Sequence, residues 1–322
     1  MKTLAPLNRK EMKMRAISII IPVYNEEEAI EEVLAHLKGV MEKSGLKYEI
    51  IVVDDGSKDG TCSILSQLSG IKCITHKKNK GYGATLKTGI MHASFDTICI
   101  TDGDMTYPNE IIPDLFHHMV NGNYDMVVGE RQAKDLSKLR RFAKMFIRFL
   151  AEKMTNERIP DFNSGLRLFD KEIAKRFFSL LPDGFSFTTT ITLSMINNGY
   201  LVDFVPIRYH QRRGTSKIHP IKDTWNFIIL VLRISLYFQP MKIFMPISAA
   251  MMFLSVFWGI FSYLVFGRLA DLSTIVLFIG GVQVGVTALL AELINKRTPN
   301  TYCSDDIEEK KRICEGIDIR HE

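Results

Sequence analysis

Two aspartates separated by one glycine, Asp102 and Asp104, are the strongest candidates for chemistry in this sequence. Two carboxylates at this spacing can bind a hard divalent cation that also contacts a diphosphate. A solvated turn is the ordinary interpretation of an isolated motif of this kind. Here the pair directly follows the apolar segment 97–101, which has the character of a buried strand. That position favours a metal-binding role.

A second acidic cluster lies in residues 54–61, which read DDGSKDGT. Acidic groups at the end of a strand can accept hydrogen bonds from the N–H groups of a base and from ribose hydroxyls. Asp59 or Thr61 can instead cap the helix that follows. That alternative leaves the adjacent Asp54 and Asp55 unexplained, so we predict a nucleoside site here.

The elements that position these residues alternate along the first part of the chain. Apolar runs predict strands, and helical spacing of apolar residues predicts helices. The predicted strands are 17–21, 48–53, 71–75, 97–101 and 125–129, and the predicted helices are 27–41, 61–68 and 84–92. Repeated β-α-β units predict an α/β fold with a doubly wound, mostly parallel sheet that binds ligands at the carboxyl ends of its strands.

Composition and charge exclude several classes of protein. The net charge of +5 suits anionic partners without choosing among them. No basic aromatic face or recognisable module supports nucleic-acid binding. The five cysteines have no metal-binding spacing, which predicts reduced thiols in a cytoplasmic domain. The basic segment 1–15 has no apolar centre, so it is not expected to be a secretory signal.

Two long apolar segments, 243–266 and 272–291, contain no charged residue. A bilayer core requires about 20 apolar residues in a helix, so each segment is long enough to span it. The connection 267–271 is only long enough for a turn. These segments therefore predict a transmembrane hairpin.

Basic residues near the hairpin predict its orientation. Arg233 and Lys242 precede the first span, Lys296 and Arg297 follow the second, and the turn carries only Arg268. The positive-inside rule then places the first part of the chain and the charged tail in the cytoplasm.

Two further segments have the character of membrane-surface helices. Residues 225–237 are apolar but short, which predicts an interfacial helix. The basic amphipathic segment 137–157 is compatible with either a solvated or a lipid-facing helix. The predicted division of the chain is a basic segment 1–15, a catalytic domain 16–220, an interfacial helix 221–240, an anchor 241–295 and a tail 296–322.

Four motifs occur in an order that resembles family 2 glycosyltransferases of the GT-A fold. They are IPVYNE at 21–26, DDGSKDGT at 54–61, DGDMTYP at 102–108 and NSGLR at 163–167. The likeness covers roughly residues 16–220 and is greatest to the dolichyl- and undecaprenyl-phosphate hexose synthases, whose two-helix anchor the apolar hairpin also matches.

The resemblance implies roles for the donor side of the site. The residues that would bind a nucleotide-sugar are Pro22, Tyr24, Glu26, Asp54, Asp55 and Asp102. Asp102 and Asp104 would hold Mg²⁺ or Mn²⁺. Thr106 occupies a position where the synthases often have a glutamine ligand, and threonine is a poorer one. Tyr82 lies on a loop expected to face the donor.

The acceptor side is rich in arginine, whose planar fork binds phosphate through two hydrogen bonds. By position, the residues that would bind a lipid phosphate are Arg131, Ser164, Arg167, Arg213 and Lys217. Asp104, Arg131 and Arg167 are the predicted catalytic set.

A missing carboxylate indicates the kind of acceptor. A sugar hydroxyl needs a general base to become a good nucleophile, yet residues 185–192 (FSFTTTIT), where the base is expected, contain no acid. A phosphate monoester has a second pKa of about 6, so it needs no general base at neutral pH. Asp161 and Asp183 remain possible substitutes for the base.

The sequence therefore predicts an inverting transferase that moves one sugar from a UDP- or GDP-hexose to a polyprenyl phosphate. The alternative is a membrane enzyme that extends a glycan or glycolipid. A polysaccharide synthase is disfavoured because no Gln-x-x-Arg-Trp motif is present, and an inactive scaffold is disfavoured by the complete set of acidic and arginine residues. Association of the hairpin into a homo-oligomer is left open.

Overall fold

The computed structural model describes residues 16–131, 159–161, 163–184, 186–209, 240–267 and 271–297. These residues fall into two compact units, the first ending at residue 209 and the second beginning at residue 240. The predicted segments 137–157 and 225–237 lie outside the described residues.

A seven-stranded sheet forms the centre of the first unit. Its strands are β1 (Ala16–Val23), β2 (Lys47–Asp54), β3 (Lys72–Thr75), β4 (Thr97–Ile100), β5 (Met126–Arg131), β6 (Arg167–Asp170) and β7 (Val202–Ile207). Their spatial order is β3-β2-β1-β4-β6-β5-β7. The predicted mostly parallel sheet is confirmed.

β6 is the exception, because it pairs antiparallel with both β4 and β5. Arg167, its first residue, lies opposite Ile100 on one side and Val128 on the other. The start of β6 therefore reaches the edge at which β4 and β5 end. Neither β6 nor β7 was among the predicted strands.

Six α-helices in the described part of the first unit connect or cover these strands. They are α1 (Ile30–Ser44), α2 (Thr61–Gln67), α3 (Tyr82–His92), α4 (Ile112–Asn121), α5 (Lys171–Arg176) and α6 (Phe187–Asn197). The three predicted helices correspond to α1, α2 and α3. Their bounds differ from the prediction by up to three residues, and α1 starts at Ile30 rather than at residue 27.

β1 is buried on both faces, as expected for a parallel strand covered by helices. Ile19 and Ile21 pack in one apolar cluster with Leu34 of α1. On the opposite face α3 approaches so closely that a Cβ at Gly89 would lie 2.4 Å from Cγ2 of Ile20. Glycine at this position allows the helix to lie directly on the strand.

The second unit is a pair of apolar helices, α7 (Pro240–Phe266) and α8 (Asp271–Arg297). Both are long and apolar enough to cross a membrane, with mean hydropathies of 1.9 over Pro240–Phe266 and 2.1 over Leu272–Ile294. The predicted hairpin is confirmed, and its helices extend beyond the predicted spans.

Two serine hydroxyls of α7 donate hydrogen bonds to carbonyl groups of α8. The Ser248 hydroxyl donates to the Gly281 carbonyl at 2.7 Å, and the Ser255 hydroxyl donates to the Thr274 carbonyl at 2.8 Å. A Cβ at Gly281 would lie 2.9 Å from Met252 Cγ. Small residues and interhelical hydrogen bonds are the usual means by which helices associate in lipid.

Candidate active site

One edge of the sheet collects nearly all the residues predicted to act in binding or catalysis. β1, β2, β4 and β5 end there, and β6 begins there. The residues brought to this edge are Pro22, Tyr24, Glu26, Asp54, Asp55, Asp102, Asp104, Thr106, Arg131, Ser164 and Arg167. Arg213 and Lys217 lie outside the described residues.

The loops after β1 and β2 are joined by hydrogen bonds. The backbone N–H of Asn25 donates to the Ser57 hydroxyl at 2.9 Å, and the N–H of Lys58 donates to Asn25 Oδ1 at 2.8 Å. The N–H of Glu26 donates to the Thr61 hydroxyl at 3.0 Å. The two loops therefore form one continuous wall, which positions Tyr24 and Glu26 beside Asp54.

Asp54 presents a buried carboxylate with an unused oxygen. Its Oδ1 accepts hydrogen bonds from the N–H and the hydroxyl of Ser57, at 3.0 and 2.5 Å. Its Oδ2 is buried and has no hydrogen-bond partner among the described residues. An unsatisfied buried acceptor is costly, so this oxygen is suited to accept a hydrogen bond from a base or a ribose.

Asp55 is engaged with the protein itself. Its Oδ1 lies 2.8 Å from His76 Nδ1 and accepts from the N–H of Lys80 at 2.9 Å, while its Oδ2 accepts from the N–H of Gly81 at 2.8 Å. The carboxylate thus holds the loop that leads into α3. A direct contact between Asp55 and a donor stays a prediction. Sequence reasoning missed His76, which carries no motif.

Asp102 and Asp104 lie on one tight turn. The Tyr82 hydroxyl donates to Asp102 Oδ1 at 3.1 Å. Asp104 Oδ1 accepts from the N–H and the hydroxyl of Thr106, at 3.2 and 2.6 Å. Thr106 thus orients Asp104, and its proposed role as a metal ligand stays a prediction.

The two aspartates fit a divalent cation that is shared with a substrate. The described residues contain no group of three or more His, Cys, Asp or Glu side chains suited to hold a metal alone. Mg²⁺ is commonly bound by one or two carboxylates together with substrate phosphates, and Mn²⁺ prefers similar oxygen ligands. Asp102 and Asp104 supply ligands of this type, to be completed by a diphosphate.

Arg131 lies at the end of β5 in a two-point ion pair. Its Nε and Nη2 donate to the two carboxylate oxygens of Asp161 at 2.7 and 2.9 Å. Burial opposes the charge of Arg131, but the hydrogen bonds and charge of Asp161 outweigh it and hold the arginine pKa above its ordinary value. The guanidinium also lies over the ring of Tyr209, with 5.5 Å between Cζ and the ring centroid. This arginine is fixed in place and remains partly exposed.

Arg167 differs, because its side chain is fully buried. It donates to the Thr188 carbonyl at 2.8 Å, to the Thr192 hydroxyl at 2.9 Å and twice to the Ser164 carbonyl. Burial lowers the pKa of Arg167 to about 10, so the group stays charged at neutral pH. These contacts favour a supporting role, and a direct contact with an acceptor phosphate stays a prediction.

Two models of known protein families match this chain. Residues 18–178 match the model of glycosyl transferase family 2, and residues 239–296 match the GtrB C-terminal hairpin. The chain belongs to glycosyl transferase family 2.

Curated relatives match this glycosyltransferase over most of its length. A bactoprenol glucosyl transferase of Shigella phage SfV is 30% identical over 292 residues, covering 87% of this chain and 93% of the relative. A prophage bactoprenol glucosyl transferase homolog of Escherichia coli strain K12 is 29% identical over 308 residues, covering 92% and 96%.

Solved structures share the fold of the glycosyltransferase. The glucosyl-3-phosphoglycerate synthase of Mycobacterium tuberculosis, in complex with Mn²⁺, uridine diphosphate and phosphoglyceric acid, has a TM-score of 0.56. It is 20% identical, and the match covers 72% of this chain and 84% of that one. The predicted GT-A fold is confirmed.

The two candidate general bases of the glycosyltransferase are both ion-paired. Asp161 is nearly buried against Arg131, as described above, and it also accepts a hydrogen bond from the N–H of Asn163 at 3.1 Å. Asp183 pairs with Lys87 at 2.8 Å. The first turn of α6 contains no acidic residue. The described residues around the acceptor side therefore offer no unpaired carboxylate in either predicted position.

Proposed function

We propose that this glycosyltransferase transfers one glucose from a nucleotide-sugar to a polyprenyl phosphate, with inversion at the anomeric carbon. The observation that carries the proposal is the pairing of both candidate bases, Asp161 and Asp183, with basic side chains. Both candidate bases among the described residues are thus ion-paired, which favours an acceptor whose nucleophile is already ionised. A phosphate monoester meets that condition, since its second pKa is about 6.

The relatives support both halves of the reaction. Their names specify bactoprenol and a glucosyl group, and residues 239–296 match the GtrB C-terminal hairpin. A lipid acceptor is consistent with a chain whose last described helices are long and apolar enough to span a membrane.

The donor is held by the wall of the β1 and β2 loops and by the Asp102–Asp104 turn. In the proposed arrangement Asp54 Oδ2 accepts a hydrogen bond from the nucleoside. A divalent cation bound by Asp102 and Asp104 would supply positive charge that stabilises the departing diphosphate. Thr106 keeps Asp104 oriented for this task through the two hydrogen bonds to its Oδ1.

The acceptor phosphate is bound by Arg131 at the open side of the site. One of its oxygens attacks the anomeric carbon, the bond from that carbon to the nucleotide diphosphate breaks, and the diphosphate leaves with the electron pair. No proton needs to be moved. Arg167 supports this geometry by fixing the Ser164 carbonyl and the first turns of α6.

The catalytic unit is proposed to face the cytoplasm, where nucleotide-sugars are made. Basic residues lie at both outer ends of the hairpin, namely Lys242 in the first turn of α7 and Lys296 and Arg297 at the end of α8. A variant that keeps the exposed Cys62 as its single cysteine tests this placement. A membrane-impermeant maleimide should label it only after cells are opened, and labelling of intact spheroplasts would place the domain outside.

The decisive experiment follows label into lipid. Detergent-purified protein is incubated with undecaprenyl or dolichyl phosphate, Mg²⁺ or Mn²⁺, and radiolabelled UDP- and GDP-sugars, with Asp104→Ala as the inactive control. Transfer of a single glucose that the control lacks supports the proposal. Nucleotide binding without label in any lipid would point to a glycan or glycolipid acceptor and would refute the inference from the paired bases.

A further inference from the structure

Tyr82, the first residue of α3, contacts the acidic turn through its hydroxyl. This hydroxyl donates to Asp102 Oδ1 at 3.1 Å across a separation of 20 residues. The tyrosine is half-buried. A tyrosine side chain with this placement can hold a carboxylate in one orientation before any ligand binds.

The backbone beneath Tyr82 is held on two sides. The N–H of Gly81 donates to Asp55 Oδ2 at 2.8 Å, and the N–H of Ala84 donates to the Asp183 carbonyl at 3.1 Å. The hydroxyl of Tyr82 is therefore carried by a rigid support rather than by a free loop. A hydroxyl group fixed in this way loses little conformational entropy when it donates its hydrogen bond.

Gly165 lies close to the Asp102 carboxylate. A Cβ at Gly165 would lie 2.7 Å from Asp102 Oδ2 and 3.0 Å from its Cγ. The carboxylate is thus crowded by both the Tyr82 hydroxyl and residue 165. Such crowding selects one orientation of the side chain.

We propose that Tyr82 is a positioning residue, which orients Asp102 for the divalent cation and the donor diphosphate. The proposal rests on the proposed function only in assigning a cation to Asp102. Its hydroxyl donates to the Asp102 carboxylate, so the expected effect is on binding of the metal and the sugar donor. Removing one hydrogen bond to a charged group should weaken Mn²⁺ binding about tenfold.

The test measures Mn²⁺ binding to the full-length protein in detergent by electron paramagnetic resonance, with Mn²⁺ alone, with UDP and with GDP. Tyr82→Phe removes the hydroxyl and little else. Tyr200→Phe is the matched control, because its hydroxyl accepts a hydrogen bond from Arg176 at 3.2 Å, far along the sequence from the acidic turn. Melting temperatures are recorded for each variant.

The expected result is a roughly tenfold rise in the Mn²⁺ dissociation constant for Tyr82→Phe and no change in that constant for Tyr200→Phe. In an Asp102→Asn background, Tyr82→Phe should have no further effect on Mn²⁺ affinity. An unchanged Mn²⁺ affinity in Tyr82→Phe, or an additive effect in the double variant, would overturn the proposal. So would wild-type protein that binds no Mn²⁺ under any of these conditions.

Mn²⁺ binding and sugar transfer to lipid are measured in separate experiments. The Mn²⁺ measurement contains no lipid, so an absence of sugar transfer to polyprenyl phosphate would refute the proposed acceptor and leave the role of Tyr82 standing. Conversely, normal lipid transfer with unchanged Mn²⁺ affinity in Tyr82→Phe would refute the positioning role alone. In the transfer assay, Tyr82→Phe should raise the KM for the donor and leave the KM for the lipid unchanged.

Discussion

Replacing Arg167 by lysine distinguishes a supporting arginine from one that grips the acceptor phosphate. The guanidinium is fully buried and makes four hydrogen bonds to described residues, namely to the Ser164 carbonyl, the Thr188 carbonyl and the Thr192 hydroxyl. A lysine ammonium is a compact group without the planar fork, so it cannot reproduce this set.

The magnitude follows from the number of hydrogen bonds lost. Lysine at position 167 would keep at most two of the four contacts. Each lost hydrogen bond to a charged group costs about 1.5 kcal/mol at the lower limit, which gives a destabilisation of about 3 kcal/mol. For a domain of this size that corresponds to a fall of about 6–12 °C in melting temperature.

The assay is thermal unfolding in detergent alongside sugar transfer. Arg176→Lys is the matched control, because Arg176 is exposed. The melting temperature of this variant should stay within about 1 °C of that of the wild type. If Arg167→Lys has the melting temperature of the wild type but no longer transfers sugar, the buried hydrogen bonds of Arg167 are not its main contribution. A direct role at the acceptor phosphate would then replace the supporting role.

Three further predictions concern the acidic turn, the β2 loop and the hairpin. Gly165→Ala should reduce sugar transfer about a hundredfold in the lipid-label assay, because a Cβ 2.7 Å from Asp102 Oδ2 displaces that carboxylate. Burial opposes ionisation of Asp59, but hydrogen bonds from Thr61 and Glu27 outweigh it and lower its pKa below 3.8. The stabilisation is therefore present above pH about 4 and is lost as the pH falls through the lowered pKa, so the melting temperatures of wild type and Asp59→Asn should converge in acid. Gly281→Val should lower the melting temperature of the protein in detergent, because overpacking of close helices costs about 1–3 kcal/mol.

Each of these has a control and a refuting outcome. Gly39→Ala is matched to Gly165→Ala, since a Cβ at Gly39 meets nothing within 4 Å, and it should leave transfer unchanged. Full transfer by the variant at position 165 would show that Asp102 tolerates displacement. A constant difference in melting temperature between wild type and Asp59→Asn down to pH about 3 would contradict the lowered pKa. Val282→Leu, at an exposed position of α8, is the control for Gly281→Val, and equal melting temperatures of the two variants would contradict close packing at Gly281.

The sequence by itself determined the family and the general plan of the site. Apolar runs and helical spacing were sufficient to place β1 to β5 and α1 to α3, since these elements follow local periodicity. The acidic motifs at 54–55 and 102–104 were placed correctly at the ends of strands, because parallel strands end at one edge. Two uncharged segments were sufficient to predict the hairpin.

The tertiary structure alone decided how the individual side chains are used. β6 is only four residues long and reverses direction between β4 and β5, and neither property leaves a periodic signal. The pairing of Arg131 with Asp161 and of Tyr82 with Asp102 joins residues 30 and 20 positions apart. Such contacts depend on how loops pack against each other, which local propensity does not determine. The same packing buries Arg167, which the sequence had placed on the acceptor side only as a charged residue.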